Sequence, residues 1–422
     1  MHQSPSTADM DRTVAFVTLG CKLNYAETST MVRSFEERGW SHVEATSAAD
    51  VYVINTCSVT EHADKKCRNI IRRLHKLNPQ ARIVVTGCYA QLKPEEIASL
   101  EGVYAVLGAK DKGRTVDVAT EGPGGIFNTP RADAVNFMGA YSSGERTRSF
   151  LKVQDGCDYF CTYCTVPLAR GASRNISIAE LTAQAREIAA SGIKEVVITG
   201  VNTGDFGKTT NESFLDLLKA LDKVEGIERY RISSIEPNLL TEEIVDWIAS
   251  GTKFLPHFHI PLQSGCDRTL AAMHRRYDTE AFARKIEYIR SRMDNVFFGI
   301  DVIAGFPGET DKDFLETYRF LERIAPAFIH IFPYSRRAGT VAAAMKPQVQ
   351  ECVKTRRVEM LEELCDRLHK EFCKANEGRH EQVLFESTDK GGRMFGYTRN
   401  YIKVERPYDS AQIGQIIDVV LP

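Results

Sequence analysis

The hydrophobic positions of this chain come in short β-branched runs separated by stretches of helical period. VAFVTLGC at 14–21, VYVINTC at 51–57 and RIVVTGC at 82–88 are apolar runs of strand length, and amphipathic segments such as TSTMVRSFEERGW lie between them. Fully apolar strands alternating with helices are the pattern of a parallel sheet whose crossover helices cover both faces. Residues 11–118 therefore predict one α/β domain. The next stretch, 119–149, contains EGPGG and SSGERTR, and this Gly-, Ser- and charge-rich composition predicts a linker.

Six further apolar runs follow: FLKVQ at 150–154, EVVITG at 195–200, RYRISSI at 229–235, HFHIPL at 257–262, VFFGIDVI at 296–303 and FIHIF at 328–332. They predict six βα units over 150–335, a parallel partial barrel short of the eight strands of a complete (β/α)₈ barrel, with ligands at the strand carboxyl ends. Residues 336–376 read as a connecting segment whose end, 351–376, is a charged amphipathic helix. Residues 377–422, with Val-, Ile- and Tyr-rich runs punctuated by Gly, read as a small all-β domain.

A length of 422 residues, 43% of them hydrophobic and 26% charged, agrees with several globular domains. No run reaches the ~18 apolar residues of a membrane span, and the opening MHQSPSTADM lacks the basic start and apolar centre of a secretory signal. Both predict a cytoplasmic protein with no membrane partner. Lys plus Arg number 54 against 56 Asp plus Glu, so nucleic-acid binding cannot be read from net charge and would need a local patch. Eleven cysteines in a chain of this kind point to metal ligation or catalysis rather than to disulfides.

Six of the eleven stand at strand ends. Cys157, Cys161 and Cys164, in GCDYFCTYC, follow the first barrel strand. Three thiolates can hold three irons of a [4Fe–4S] cube and leave the fourth open, and an open position is where chemistry happens. A zinc knuckle is the alternative, but no fourth ligand stands at zinc-finger spacing. Cys21, Cys57 and Cys88 end the three apolar strands of the first domain, 36 and 31 residues apart, one βα unit per interval. Parallel strands share one carboxyl edge, so three side chains far apart in sequence can converge there on a second cluster. Buried, inert cysteines are the alternative.

The Cys-x₃-Cys-x₂-Cys spacing after the first barrel strand resembles the radical S-adenosylmethionine superfamily. With the strand-end cysteines and FGYTRNYIKVERP, which is similar to the TRAM domain, the whole chain resembles the methylthiotransferases. TLGCKLN at 18–24, INTCSVTEHADKKCR at 54–68 and TGCYAQ at 86–91 look like the type that acts on N6-threonylcarbamoyladenosine beside the tRNA anticodon, with Lys22 and Leu23 where the types differ. The resemblance implies a transferase with two [4Fe–4S] clusters on those six cysteines. It also implies S-adenosylmethionine, chelated at the open iron of the barrel cluster and cleaved to a 5′-deoxyadenosyl radical that takes hydrogen from C2 of the adenine. A methyl group from a second use of S-adenosylmethionine goes to sulfur at the Cys21, Cys57 and Cys88 cluster. The implied partners are the tRNA anticodon stem-loop, a flavodoxin- or ferredoxin-type reductant and a sulfur donor. Tyr163 matches the family position near the cofactor adenine, and Gly200, Asn202, Ser233, Glu236 and Gly305 match cofactor-binding positions after the second, third and fifth barrel strands. Other readings are methylthiolation of isopentenyl-adenosine in tRNA or of a ribosomal-protein side chain, and, in another class, a non-catalytic iron–sulfur RNA-binding protein.

On the substrate side, Tyr397, Arg399, Tyr401 and Lys403 alternate along one expected strand, which would put rings and cations on one face for RNA. Residues 377–422 nonetheless carry six basic and seven acidic side chains. Arg336, Arg337, Lys354, Arg356 and Arg357 would add positive surface. Arg170 and Arg174, in VPLARGASRN, resemble a stretch near the active site of the family, from which Asn175 and Ile176 depart. His259, Gln263 and Ser264, in HIPLQSGC, follow the fourth strand within reach of the pocket. No catalytic acid or base is identified, and Cys67, Cys266, Cys352, Cys365 and Cys373 carry no role; Cys365 and Cys373 share one helix face.

Overall fold

A computed structural model of the chain describes residues 12–58, 60–130, 137–144, 147–387, 389 and 391–422. Residues 1–11, where no export signal was read, and 131–136 and 145–146 of the expected linker lie outside the described residues. Contacts divide the chain into two compact units, 1–142 with 168–170, and the remainder.

In the first unit β1 (Thr13–Thr18), β2 (Ser41–Val43), β3 (Val51–Thr56), β4 (Arg82–Gly87), β5 (Val103–Gly108) and β6 (Gly125–Phe127) form a parallel sheet in the order β2-β1-β3-β4-β5-β6. Every residue of the central β3 is buried, because helices cover both faces. Tyr52, Ile54, Ile83 and Val85 pack under Ile71 and Leu74 of helix Glu61–Leu77, and Val53 and Val84 pack on the other side with Phe35, Trp40 and Val116. β6 lies within the expected linker. Its ladder runs from Ala105 to Leu107 of β5, so a three-residue edge strand with no apolar period of its own is held by its neighbour. β7 (Ala140–Tyr141) lies along helix Lys22–Glu36, where Arg33 donates to the Tyr141 carbonyl at 3.0 Å.

In the second unit β8 (Arg148–Lys152), β9 (Glu195–Thr199), β10 (Arg229–Ser234), β11 (Phe254–Gln263), β12 (Phe297–Ala304) and β13 (Phe328–Pro333) realise all six expected runs as parallel strands in consecutive order. The helices between them start where the sequence supplies a cap. Ser177, Ser213, Thr241, Asp278 and Thr310 each accept a backbone N–H of the first turn, an arrangement worth about 1 kcal/mol per helix.

Helix Glu351–Lys374 closes the wall beyond β13. This overturns part of the expected positive surface: Arg337, Lys354 and Arg357 are buried, and only Arg336 and Arg356 of the five are exposed. Lys354 Nζ donates to the Tyr334 carbonyl at 3.1 Å, and Arg357 pairs with Glu309 at 2.6 Å. These cations satisfy buried acceptors instead of facing a ligand. On the same helix Cys365 is buried against Ile329 of β13, and Cys373 packs beside the core of the last domain.

That last domain is an antiparallel sheet of β14 (His380–Phe385), β15 (Arg393–Tyr397), β16 (Lys403–Pro407) and β17 (Ile416–Val420) in the order β16-β15-β14-β17. Its core is Val383, Phe385, Met394, Ile402, Val404 and Leu421. It joins the amino ends of the barrel strands through a buried ionic seam. Arg231 on β10 bonds Glu195 at 2.8 Å and donates to the carbonyls of Thr398 and Arg399, while Arg229 donates to that of Gln382.

The expected single strand of alternating rings and cations is not formed. β15 ends at Tyr397 and β16 begins at Lys403; between them Tyr401 takes φ 65°. Thr398 and Asn400 build this turn, with the Thr398 hydroxyl accepting the Ile402 N–H at 2.7 Å. The Tyr397 and Tyr401 rings stack 4.6 Å apart, Arg148 lies over both, and Tyr401 also meets His257 and Phe297 of the barrel. Arg399 and Lys403 remain exposed.

Candidate functional site

The strand-end cysteines of the first unit meet at one edge because the ladder puts them in register. Thr18 pairs with Asn55 and Thr56 with Gly87, so Cys21, Cys57 and Cys88 all emerge just past the carboxyl ends of three adjacent strands. Two glycines make the approach possible. A Cβ on Gly20 (φ +99°) would stand 2.7 Å from Cys57 Sγ, and one on Gly87 (φ +107°) 2.4 Å from the Thr56 carbonyl oxygen. Cys57 is buried, Cys88 half-buried and Cys21 exposed.

A buried polar network lies beneath them. Asn24 donates to the carbonyls of Leu19 at 2.7 Å and Thr56 at 2.9 Å, tying the loops that carry Cys21 and Cys57 to one helix. Its Oδ1 accepts from Lys112 at 3.1 Å and from Arg170 at 2.7 Å, and both cations pair with Glu27. Burial pushes the Lys112 ammonium below its ordinary value against the pull of Glu27, and Cys88 is close enough to act on the same charge.

The second set is local. Gly156 turns the chain at φ +75°, where a Cβ would overlap the Ala172 carbonyl, and the Cys157 N–H donates to the Gly171 carbonyl at 3.0 Å. Cys164 Sγ accepts the Val166 N–H at 3.4 Å, and Cys161 Sγ accepts from Arg275 at 3.1 Å. Burial pushes the Cys157 thiol up to about 11 and that of Cys164 to about 12, and the neighbouring thiols add to both shifts. A bound metal would offset that cost by stabilising the thiolates. N–H donors aimed at sulfur and three converging thiols fit a three-thiolate [4Fe–4S] cluster. Asn202 Nδ2, a buried donor without a partner among the described residues, fits a ligand at the adjoining strand ends.

Most of the expected cofactor positions gather around that loop. The Tyr163 hydroxyl accepts from Arg275 at 3.3 Å, and its ring packs against the cluster of Met273, Ile303, Phe306 and Tyr334. Gln154 Oε1 accepts the N–H groups of Val201 and Asn202, each at 3.0 Å, which fixes the loop after Gly200. Asn202 Oδ1 accepts the Glu236 N–H at 3.3 Å, and the Glu236 carboxylate pairs with Arg275. Burial pushes that carboxyl up against the pull of Arg275. Ser233 is buried near the end of β10. Gly305 is demanded by packing, since a Cβ there would stand 2.4 Å from Lys354 Cγ; its N–H donates to Glu309 at 2.7 Å.

The remaining candidates separate. Arg174 is tied to Asp155 at 2.9 Å, and the departure at Asn175 has a structural use: its Oδ1 accepts from Gly207 at 3.1 Å and from the Thr209 hydroxyl at 2.9 Å. Ser264 turns toward helix Asp311–Ile324, bonding Thr317 at 3.0 Å, and Gln263 is buried at φ 70°. His259 faces the barrel interior, 2.6 Å from Asp301. Arg275 was not legible in the sequence, because an arginine within HRRYD has no period or spacing that points at a cysteine 114 positions away. The exposed face of helix Glu61–Leu77 was also missed although its signal is plain: the helix carries six Lys and Arg against two carboxylates. His62, Lys65, Lys66, Asn69, Ile70 and Arg73 line a shallow groove there.

A partial parallel barrel with an open three-cysteine loop at its strand ends defines a radical S-adenosylmethionine enzyme, here with an added α/β domain. Residues 151–321 match the Radical SAM superfamily, and residues 13–108 match the family described as Uncharacterized protein family UPF0004. Among solved structures, the radical S-adenosylmethionine methyltransferase TsrM from Kitasatospora setae, with cobalamin and a [4Fe–4S] cluster bound, shares the fold with a TM-score of 0.59 at 15% identity, covering 79% of this chain and 77% of that one. Threonylcarbamoyladenosine tRNA methylthiotransferase MtaB of Bacillus subtilis is 40% identical over 96% of this chain and 93% of its own length. MtaB of Aquifex aeolicus is 37% identical over 97% and 100%. The tRNA-2-methylthio-N(6)-dimethylallyladenosine synthase of Clostridium botulinum is 32% identical over 95% and 92%. The chain belongs to the MtaB family of radical S-adenosylmethionine methylthiotransferases.

Proposed function

We propose that this protein transfers a methylthio group to C2 of the adenine of N6-threonylcarbamoyladenosine, next to the anticodon of tRNA. The observation that carries this reading is the pairing, in an MtaB relative, of one cysteine triad at three adjacent strand ends of the first unit with a second triad in the loop after β8. When bound, the clusters and S-adenosylmethionine supply a radical at one site and an exchangeable, methylated sulfur at the other.

The chain's own groups hold and orient. Cys157, Cys161 and Cys164 grip one cluster, with Arg275 and the Val166 N–H turned toward their sulfurs. Tyr163, Gly200, Asn202, Ser233, Glu236 and Gly305 shape the strand-end surface for S-adenosylmethionine, Asn202 and Glu236 through polar atoms and Tyr163 through its ring. Cys21, Cys57 and Cys88 would hold the second cluster, at strand ends that the Asn24–Glu27–Lys112–Arg170 network ties together. Turnover needs a flavodoxin- or ferredoxin-type reductant and a sulfur donor, met in the cytoplasm. No helix among the described residues is long and apolar enough to cross a membrane.

RNA contact falls to exposed cations. Lys65, Lys66, Arg72 and Arg73 of helix Glu61–Leu77 form no ion pair among the described residues and suit phosphates, and Arg399 and Lys403 of the TRAM domain add to them. Tyr397 and Tyr401 serve chiefly to seat that domain on Arg148.

The test is anaerobic turnover with S-adenosylmethionine, reductant, sulfide and tRNA bearing N6-threonylcarbamoyladenosine, followed by mass spectrometry of the digested nucleosides. A methylthio nucleoside is expected. Formation of 5′-deoxyadenosine without a modified nucleoside overturns the substrate. Neither product from protein with both clusters intact overturns the enzymatic reading.

A further inference from the structure

The barrel interior carries a polar cluster that the outline above leaves without a role. Side chains alternate between the two faces of a strand. Phe258, Ile260 and Leu262 of β11 and Phe298, Ile300 and Val302 of β12 are buried toward the helices, so His259 and Asp301 point into the barrel, where His330 of β13 joins them. Asp301 pairs with His330 in the β12–β13 ladder, and the polar atoms of all three residues lie within 4.8 Å of one another. His259 Nε2 stands 2.6 Å from Asp301 Oδ1, and the rings of His259 and His330 are 4.7 Å apart.

Three features make this a place for a ligand rather than a core contact. The set is half-exposed, at 22% for the His259 side chain and 16% for that of Asp301. Beside it Gly299 leaves room, since a Cβ there would come to 3.5 Å from His330 Nε2. The Ile235 N–H donates to the His259 carbonyl at 3.1 Å and Arg275 donates to that of Pro261 at 3.4 Å, which places this stretch of β11 beside the Glu236–Arg275 pair. The direct His259–Asp301 bond already matches donor to acceptor without an ion, which favours an organic ligand over a divalent cation.

We infer that His259, Asp301 and His330 form the subsite for the threonylcarbamoyl group on N6 of the adenine. The inference rests on the function proposed above and names the residues that read its substrate. An imidazole N–H suits the threonine carboxylate, and the Asp301 carboxylate suits the threonine hydroxyl or a ureido N–H. A dimethylallyl group in the same place would offer these polar groups neither charge nor a hydrogen bond, and a site built for hydrogen bonds rejects a partner lacking them more strongly than an apolar site rejects an added group.

The experiment uses the full chain with both clusters loaded, checked by iron content and visible spectrum, as wild type, His330→Leu, His330→Gln and Asp301→Asn. Each acts on anticodon stem-loops bearing threonylcarbamoyl-adenosine, its threonine amide or dimethylallyl-adenosine, with kcat, KM and stem-loop binding followed by fluorescence anisotropy. Wild type is expected to favour the carboxylate over the amide by about tenfold or more in KM. His330→Leu should lose that preference by weakening the carboxylate substrate more than the amide, and His330→Gln should regain part of it. Equal discrimination in wild type and all variants, with wild type active, overturns this subsite alone. Stoichiometric zinc in wild type that disappears from His330→Leu overturns it in favour of a metal site. A wild type that methylthiolates none of the three RNAs overturns the proposed function and this subsite together.

Discussion

The two thiol sites reach similar ends by opposite routes. Cys157, Cys161 and Cys164 belong to one loop, and the groups that touch their sulfurs include a backbone N–H two residues on. Cys21, Cys57 and Cys88 are neighbours only because three strands lie side by side, with Gly20 and Gly87 keeping the space between them. A local site survives disturbance elsewhere in the fold, whereas a site built from a sheet edge is as secure as the register and packing of that sheet.

Substituting one cysteine in each site gives the sharpest contrast. Cys161→Ala should abolish 5′-deoxyadenosine formation, while Cys57→Ala should keep it and lose the methylthio nucleoside. Chromatography of both products reads the two outcomes, and transfer retained in Cys57→Ala would erase the division of labour. Next in size, Gly87→Val forces a side chain into Thr56 at a positive φ and should remove about half the bound iron. Its barrel cluster should keep an unchanged low-temperature EPR signal; loss of all the iron would mean that the two sites are not independent.

Lys112→Ala leaves Glu27 and Asn24 short of a buried cation and should cost about 3–5 kcal/mol in urea unfolding of the apoprotein, as broken buried pairs do. An equal loss from Lys93→Ala, in an exposed pair, would deny the network its role. Lys65→Glu with Arg73→Glu should weaken tRNA binding and lower its salt dependence by about two counterions, read from affinity between low and moderate salt. An unchanged slope would remove the basic helix from the RNA surface.

The most gradual effect is on the barrel side, spread over a range of pH. Burial pushes the Glu309 carboxyl up to about 7 from an ordinary 4.5, against the pull of Arg357. The folded state therefore holds that proton more tightly than the unfolded one. Its contribution is full below pH 4.5 and is lost as pH climbs through about 7, with a slope of at most about 1.4 kcal/mol per unit. Glu309→Gln should flatten that part of the stability profile, and an unaltered profile would place the titration elsewhere.

Much of this was legible in the chain. The apolar runs located every barrel strand, because parallel strands covered by helices are largely apolar, even where buried Arg229 and Arg231 interrupt the run of β10. The three-residue β6 was not legible, because it carries no pattern of its own and exists through its ladder to β5. Tyr397 and Tyr401 misled for a related reason. Alternation in sequence resembles a strand face until Thr398 and Asn400 close a turn between them.

The sequence by itself determined the class of chemistry: the number of thiols, the spacing of three of them within a loop, and the placing of the other three at strand ends. Those features rest on local covalent spacing and on hydrophobic period, both of which a linear text records. Only the tertiary structure decided which charges serve the sites. Arg275 beside Cys161, Lys112 between Glu27 and Asn24, Arg357 buried on Glu309, and His330 beside His259 and Asp301 are pairings across tens of residues. A long polar side chain takes its partner from whatever the packed fold brings within hydrogen-bond reach, and no periodicity along the chain encodes that choice.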